Sequence, residues 1–155
     1  MDIPAHPVIV HFPIAILILG LFLDLAALLS RREWISRAAL VLLVVGALAS
    51  VVAVRSGSEQ ATEIARPPAL DGPLEEHAES GKLTMVFFLA LAATRGALAR
   101  FRKLSPTIHA ATFAAWIVGA ILLARTGYFG GQLVYRHGAG VTPDAPSGDA
   151  RPGSG

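Results

Sequence analysis

Cysteine is absent from the 155-residue chain, and charged side chains make up only 15% of it. The first absence excludes disulfides, thiolate metal sites, iron–sulfur clusters and cysteine nucleophiles. The charged fraction is well below the roughly 25% of an ordinary soluble domain. No nucleophile constellation or phosphate loop is present, and GYFGG (127–131) lacks the flanking strand and helix of a nucleotide-binding turn. With 54% hydrophobic residues, this composition favours a bilayer protein. Whether it is an enzyme stays open, and an electron carrier or accessory membrane protein is favoured.

Four apolar runs are each close to the length that crosses a membrane. Spanning the hydrocarbon core takes about 20 helical residues, and the predicted spans are about 8–29, 37–54, 80–99 and 107–125. The opening Met-Asp-Ile-Pro has no positive n-region, so the first run is predicted to be a retained span. Ser105 and Pro106 form an N-cap and N1 pair that predicts the start of the fourth helix.

The predicted fold is all-α, a four-helix antiparallel transmembrane bundle over residues 1–141. Glycines at 127, 130 and 131 are predicted to end the fourth helix. The segment 142–155 is rich in Pro, Gly and Ser and is predicted to be a disordered tail.

Basic residues indicate the orientation of the bundle. The short turns at 30–36 and 100–105 share one side of the membrane, and the long connection 55–82 lies on the other. The basic residues on the first side are Arg31, Arg32, Arg37, Arg95, Arg100, Arg102 and Lys103, against Glu33 alone. The positive-inside rule therefore predicts a multi-pass protein of a bacterial inner membrane with both termini periplasmic. Basic residues at span ends also argue against nucleic acid as a partner.

Four of the five histidines fall on the predicted outer side. His6 and His11 flank the first span in HPVIVHFPI, His77 precedes the third span, and His137 follows the fourth. Imidazole is the commonest nitrogen ligand for haem iron, zinc and copper, and a b-type haem needs two axial histidines on different helices. His11 and His77 suit an axial pair best, with His6 and His137 as orienting groups or alternates. The same four could hold another metal ion, or they could be interfacial histidines without any cofactor.

Other polar residues have structural or ligand-binding interpretations. Asp24 and Arg95 reach similar depth on parallel helices, which predicts an ion pair rather than a proton path. His109, on the inner side, is interpreted as interfacial. Arg125 and Arg136 could bind haem propionates or the glutamates of the long connection. Stripes of small residues, such as those at 111, 115 and 119, indicate helix packing within the bundle or between protomers.

The two ends of the chain carry a family resemblance. HPVIVHFPIAIL and GYFGGQLVYRHGAGV resemble the signatures of a bacterial family of small four-span membrane proteins, catalogued as domain of unknown function 2231. The resemblance runs from His6 to about Val141 and implies kinship with membrane b-type cytochromes of the di-haem superfamily. The surroundings of His77, EEHAESG, are more acidic than the family pattern, and the usual inner-face histidine pair is absent, so a two-haem wire is not expected. The residues that match the family motifs are His6, His11, Pro13, Gly131, Tyr135, His137 and Gly138.

The functional prediction is a small membrane protein whose periplasm-facing histidines bind haem b, or another metal, for electron transfer. Its predicted partners are the lipid bilayer and either a second copy of the chain or a redox partner subunit. Two alternatives remain: a non-catalytic membrane scaffold or partner subunit, and a metal or proton-coupled transporter that uses Asp24 and the outer histidines.

Overall fold

A computed structural model of the protein describes residues 5–63 and 68–139, and it confirms the all-α four-helix fold. The predicted tail at 142–155 lies outside the described residues. Four long helices alternate in direction, and no strand occurs in the described ranges. The helices are α1 (Ala5–Ile9), α2 (His11–Ser30), α3 (Glu33–Glu63), α4 (Asp71–Arg100) and α5 (Pro106–Tyr135), with a 3₁₀ turn at Pro68–Leu70.

Helix ends follow from local sequence. The Ser105 hydroxyl accepts a hydrogen bond from the Ile108 amide at 3.3 Å, and Pro106 follows it, so the predicted start of α5 is confirmed. Pro13 has no N–H to donate to the carbonyl of Ile9, which accounts for the break between α1 and α2 at Val10. At the other end of α2, Arg31 adopts a left-handed conformation (φ 55°) and closes the helix.

Helix length places the two ends of the bundle relative to a bilayer. Four stretches are long and apolar enough to cross a membrane: His6–Ser30, Glu33–Thr62, Pro68–Arg100 and Pro106–Tyr135. At about 1.5 Å per residue, α3, α4 and α5 are each roughly 45 Å long, against about 30 Å of hydrocarbon. We call the end with the turns 31–32 and 101–105 the basic end, and the opposite end, where α1 and α4 begin, the histidine end. Because the turns at the basic end are short, the surplus length of these helices lies at the histidine end.

An apolar layer fills the middle of the bundle. Leu17, Leu43, Phe88 and Trp116 are each at most 1% exposed. A Cβ added to Gly20 would lie 2.8 Å from the Trp116 ring, so glycine is what lets α2 approach α5 this closely. This layer separates the polar groups at one end of the bundle from those at the other.

The outer faces of the helices are apolar, as lipid contact requires. Phe22, Leu29, Val41 and Ile121 are between 59% and 78% exposed. A soluble monomer rarely exposes such extensive contiguous apolar surface. These faces support burial in a bilayer.

One expectation about local structure is wrong. The glycines at 127, 130 and 131 do not end α5, which continues to Tyr135 because glycine lowers helix propensity without preventing helical angles. Much of the connection 55–82 belongs to the long helices, since α3 extends to Glu63 and α4 begins at Asp71.

Candidate functional site

Two of the predicted histidines meet at the histidine end. The ring centroids of His6, on α1, and His77, on α4, are 6.3 Å apart, and the ring planes are inclined at 77°. Both side chains are half-buried. Ser56, His77 and Thr126 each lie about 20 residues or slightly more from the basic end of their helices, roughly the thickness of the hydrocarbon core. The pair therefore sits at the outer edge of the membrane-spanning region.

Hydrogen bonding indicates which nitrogen of His77 is free. Nδ1 of His77 lies 3.2 Å from the backbone carbonyl oxygen of Thr126. A carbonyl only accepts, so in neutral His77 the proton is on Nδ1 and Nε2 carries the lone pair. Metal-binding histidines are commonly oriented by such a bond from the second ring nitrogen.

His6 is oriented in the same way through a hydroxyl. Its Nδ1 lies 2.9 Å from Oγ of Ser56. The Ser56 hydroxyl donates its hydrogen to the carbonyl of Ala53 at 2.9 Å, so Oγ accepts from His6. Neutral His6 therefore also has its proton on Nδ1 and its lone pair on Nε2. The site thus offers two imidazole nitrogens with free lone pairs.

Two glycines make room for these rings. A Cβ at Gly57 would lie 2.8 Å from Cε1 of His6, and a Cβ at Gly130 would lie 3.1 Å from Cε1 of His77. Gly131, which matches the family motif, has nothing within 4 Å of its hypothetical Cβ. Sequence reasoning did not identify Gly57 or the specific role of Gly130. The paired glycines in GYFGG were a signal, but only packing shows which of them faces a histidine.

The other predicted ligands do not join this pair. His11 is exposed, and its Nδ1 donates to the carbonyl of Pro7 at 2.5 Å. His137 and Arg136 are exposed beyond the end of α5. Within 5–63 and 68–139, no group of three or more His, Asp or Glu side chains is placed to hold a metal ion.

Arg125 lines a groove beside His77. Its guanidinium carbon lies 5.1 Å from the ring centroid of Phe129, within the range of a cation–π contact. The groove has a volume of about 530 Å³ and is also bordered by Glu76 and Glu79. Because two glutamates border the groove, the predicted pairing of Arg125 with glutamates is at least as well supported as its predicted pairing with haem propionates.

Hydroxyl groups extend the site toward the membrane interior. Oγ1 of Thr126 lies 2.8 Å from Oγ of Ser80 and 3.0 Å from Oγ1 of Thr84. Ser80 and Thr84 are buried. These bonds tie α4 to α5 directly below His77 and fix the carbonyl that orients its ring.

A second polar cluster lies near the basic end. Arg95 donates to both carboxylate oxygens of Asp24, at 2.7 Å and 2.5 Å, and both side chains are at most 1% exposed. The predicted ion pair is therefore confirmed. Nε2 of His109 lies 2.9 Å from Asp24 and 2.7 Å from Arg95, with only 13% of its side chain exposed. The interfacial interpretation of His109 was wrong, and its position one turn into α5, near the depth of Arg95, was the signal that was overlooked.

Comparison with known proteins places the chain in a family without defining a reaction. The profile of the family described as predicted membrane proteins, DUF2231, matches residues 2–143. No match was found among curated proteins or among solved structures. The match covers nearly the whole chain, and the four membrane-length helices fit the family description. The chain belongs to the DUF2231 family of predicted membrane proteins.

Proposed function

We propose that the protein is a small membrane electron-transfer subunit that binds one b-type haem between His6 and His77. The observation that carries the proposal is the convergence of these two rings, each with Nδ1 engaged in a hydrogen bond and Nε2 available. A b-type haem could be held by the imidazoles of His6 and His77. Protein sites for zinc commonly use three or four side chains, and the described residues offer no such group.

The separation of the rings also supports the proposal. Imidazole nitrogens bind transition metals at about 2.0–2.1 Å, so two rings that held one ion between them would have centroids roughly 6 Å apart. The distance between His6 and His77 is 6.3 Å. Haem would supply one-electron redox chemistry at this position, while the chain holds and orients both ligands and keeps the neighbouring helices packed.

The proposal changes the axial pair expected from sequence. His6 replaces His11, because α1 packs against α3 and carries His6 toward Ser56 and Gly57. His11 lies on α2 and points to the exposed surface. The apolar layer of Leu17, Leu43, Phe88 and Trp116 provides no polar path between the two ends, which argues against the transport alternative.

The orientation completes the proposal. Outside the buried Asp24–Arg95 pair, the basic end carries six exposed Lys or Arg residues and one acid, against four Lys or Arg among the described residues of the histidine end. On this excess, the positive-inside rule would assign the basic end to the cytoplasm. The His6–His77 site then faces the periplasm of a bacterial inner membrane, where a soluble or membrane-bound redox partner can reach it.

The test is an optical spectrum of the detergent-purified full chain from haem-replete cells, oxidised and then reduced with dithionite. We expect a sharp reduced α-band that is lost in His6→Ala and in His77→Ala. His11→Ala is the matched control, because it removes an exposed histidine of the same region, and the band should persist in it. A colourless wild-type protein after haem supplementation would refute haem binding, and loss of the band in His11→Ala but not in His6→Ala would refute the assigned pair. Metal analysis of a colourless protein would test for another bound ion.

A further inference from the structure

An apolar groove runs along the lipid-facing surface between α4 and α5, away from the His6–His77 site. Its volume is about 410 Å³, and its lining is almost entirely apolar. Alanines at 90, 111 and 115 are among its lining residues, and Phe87 is the lining residue farthest along α4 from the basic end. Its other end opens at Leu98 and Ile108, directly beside the turn 101–105 of the basic end.

The depth of the groove corresponds to one leaflet. Measured along the helices from the basic end, it extends over about 9 residues of α5 and about 13 residues of α4, or roughly 13–20 Å. Half of the hydrocarbon core is roughly 15 Å thick. A single acyl chain of a lipid in the leaflet at the basic end therefore matches the groove in length and polarity.

Positive charge stands at the mouth of the groove. Arg100, Arg102 and Lys103 are all exposed, and the segment 96–110 contains no acidic residue. None of the three forms an ion pair with an acid of the described residues. The one acid on this end, Glu33, is already bonded to Arg37 at 2.7 Å. A phosphate at the level of the headgroups would therefore meet three basic side chains, with Glu33, which also attracts Arg102, as the one exposed carboxylate that competes.

We infer that this groove is a binding site for an anionic phospholipid, with one acyl chain between α4 and α5 and the phosphate at Arg100, Arg102 and Lys103. A second copy of the chain fits less well. A two-fold pairing through the same groove would bring two identical basic turns together, and like charges would oppose it. An anionic lipid instead neutralises the turn while its chain fills the groove.

The experiment is native mass spectrometry of the intact protein in detergent, with phosphatidylglycerol and phosphatidylcholine that have identical acyl chains. We expect retained adducts of phosphatidylglycerol at several-fold higher occupancy. Arg100→Gln combined with Lys103→Gln should weaken this binding roughly tenfold or more, since each basic side chain near a membrane surface contributes about 1 kcal/mol. The matched control is Arg31→Gln combined with Arg32→Gln, which removes two charges from the other turn and should have little effect.

A second pair of variants tests the groove itself. Ala111→Phe fills it and should reduce binding of phosphatidylglycerol, whereas Ala114→Phe adds the same ring on an exposed part of α5 outside the groove and should not. Equal occupancy of both lipids, or equal losses in the two charge variants, would overturn the inference. A dimer that is abolished by Ala111→Phe but not by Ala114→Phe would also overturn it, because a second copy would then be the occupant.

Discussion

The buried Asp24–Arg95 pair allows a sharp prediction about stability. Replacing Arg95 by Met keeps much of its length but removes both arginine hydrogen bonds from the Asp24 carboxylate. At this site with no exposure, Asp24 then keeps one side-chain contact, with Nε2 of His109 at 2.9 Å. Breaking a buried ion pair from one side costs about 3–5 kcal/mol in soluble proteins. Insertion measurements assign roughly 2.5–3.5 kcal/mol to an isolated Asp at the centre of a membrane helix. We therefore expect Arg95→Met to lower the free energy of unfolding by about 3 kcal/mol.

The assay is reversible unfolding of the detergent-solubilised protein with increasing dodecyl sulfate, followed by the fluorescence of its tryptophans, of which Trp116 lies in the core. Arg100→Met, an exposed residue of the same helix, is the matched control and should change stability little. Combining Arg95→Met with Asp24→Leu should recover most of the loss, because the double variant leaves no unpaired charge. A loss below about 1 kcal/mol in Arg95→Met, or a double variant as unstable as the single one, would refute the view that unpaired charge dominates this site.

Three further predictions use matched substitutions in the helices. Gly57→Ala should displace the His6 ring and lower both thermal stability and the reduced α-band of the proposed cytochrome, whereas Gly131→Ala, with open space at its Cβ, should leave both unchanged. Gly119→Ala places a Cβ 2.7 Å from the Phe88 ring and should lower the free energy of unfolding in dodecyl sulfate by about 1–3 kcal/mol. The control Gly96→Ala meets no atom within 4 Å and should be neutral or stabilising. Equal losses in the two variants would contradict the packing argument. Ser105→Ala should cost about 1 kcal/mol by removing the cap bond to α5, while Ser105→Asp should retain stability; if Asp were as damaging as Ala, the cap would not be the cause.

The bundle was predictable because its signals are local. Apolar runs of membrane length indicate spans whatever their neighbours, and Ser105 with Pro106 specifies a helix start through backbone groups a few residues away. The ion pair of Asp24 and Arg95 was also predictable, because a charge at that depth needs a partner and few were available. In contrast, the glycines of GYFGG were misread as a helix end because their local propensity is weak against the packing of a 30-residue helix.

The pairing of His6 with His77 could not be predicted from local sequence. Depth relative to the bilayer boundary made His11 the predicted partner of His77. The interruption at Val10 is slight, because this residue keeps right-handed helical angles. The five residues from His6 to His11 turn the two side chains roughly 140° apart about the helix axis, and α1 packs against α3. His6 therefore reaches the bundle while His11 faces outward.

Sequence by itself determined the number of spans, the predicted direction in which they cross the membrane and the gathering of four histidines at one end, because composition and run length decide these properties one helix at a time. Only the tertiary structure decided which residues touch: His6 with His77, and His109 with Asp24 and Arg95. Those contacts depend on the rotation of each helix about its axis and on glycines such as Gly57 that admit a ring. Both are set by the simultaneous packing of several helices, for which no single stretch of sequence carries the information.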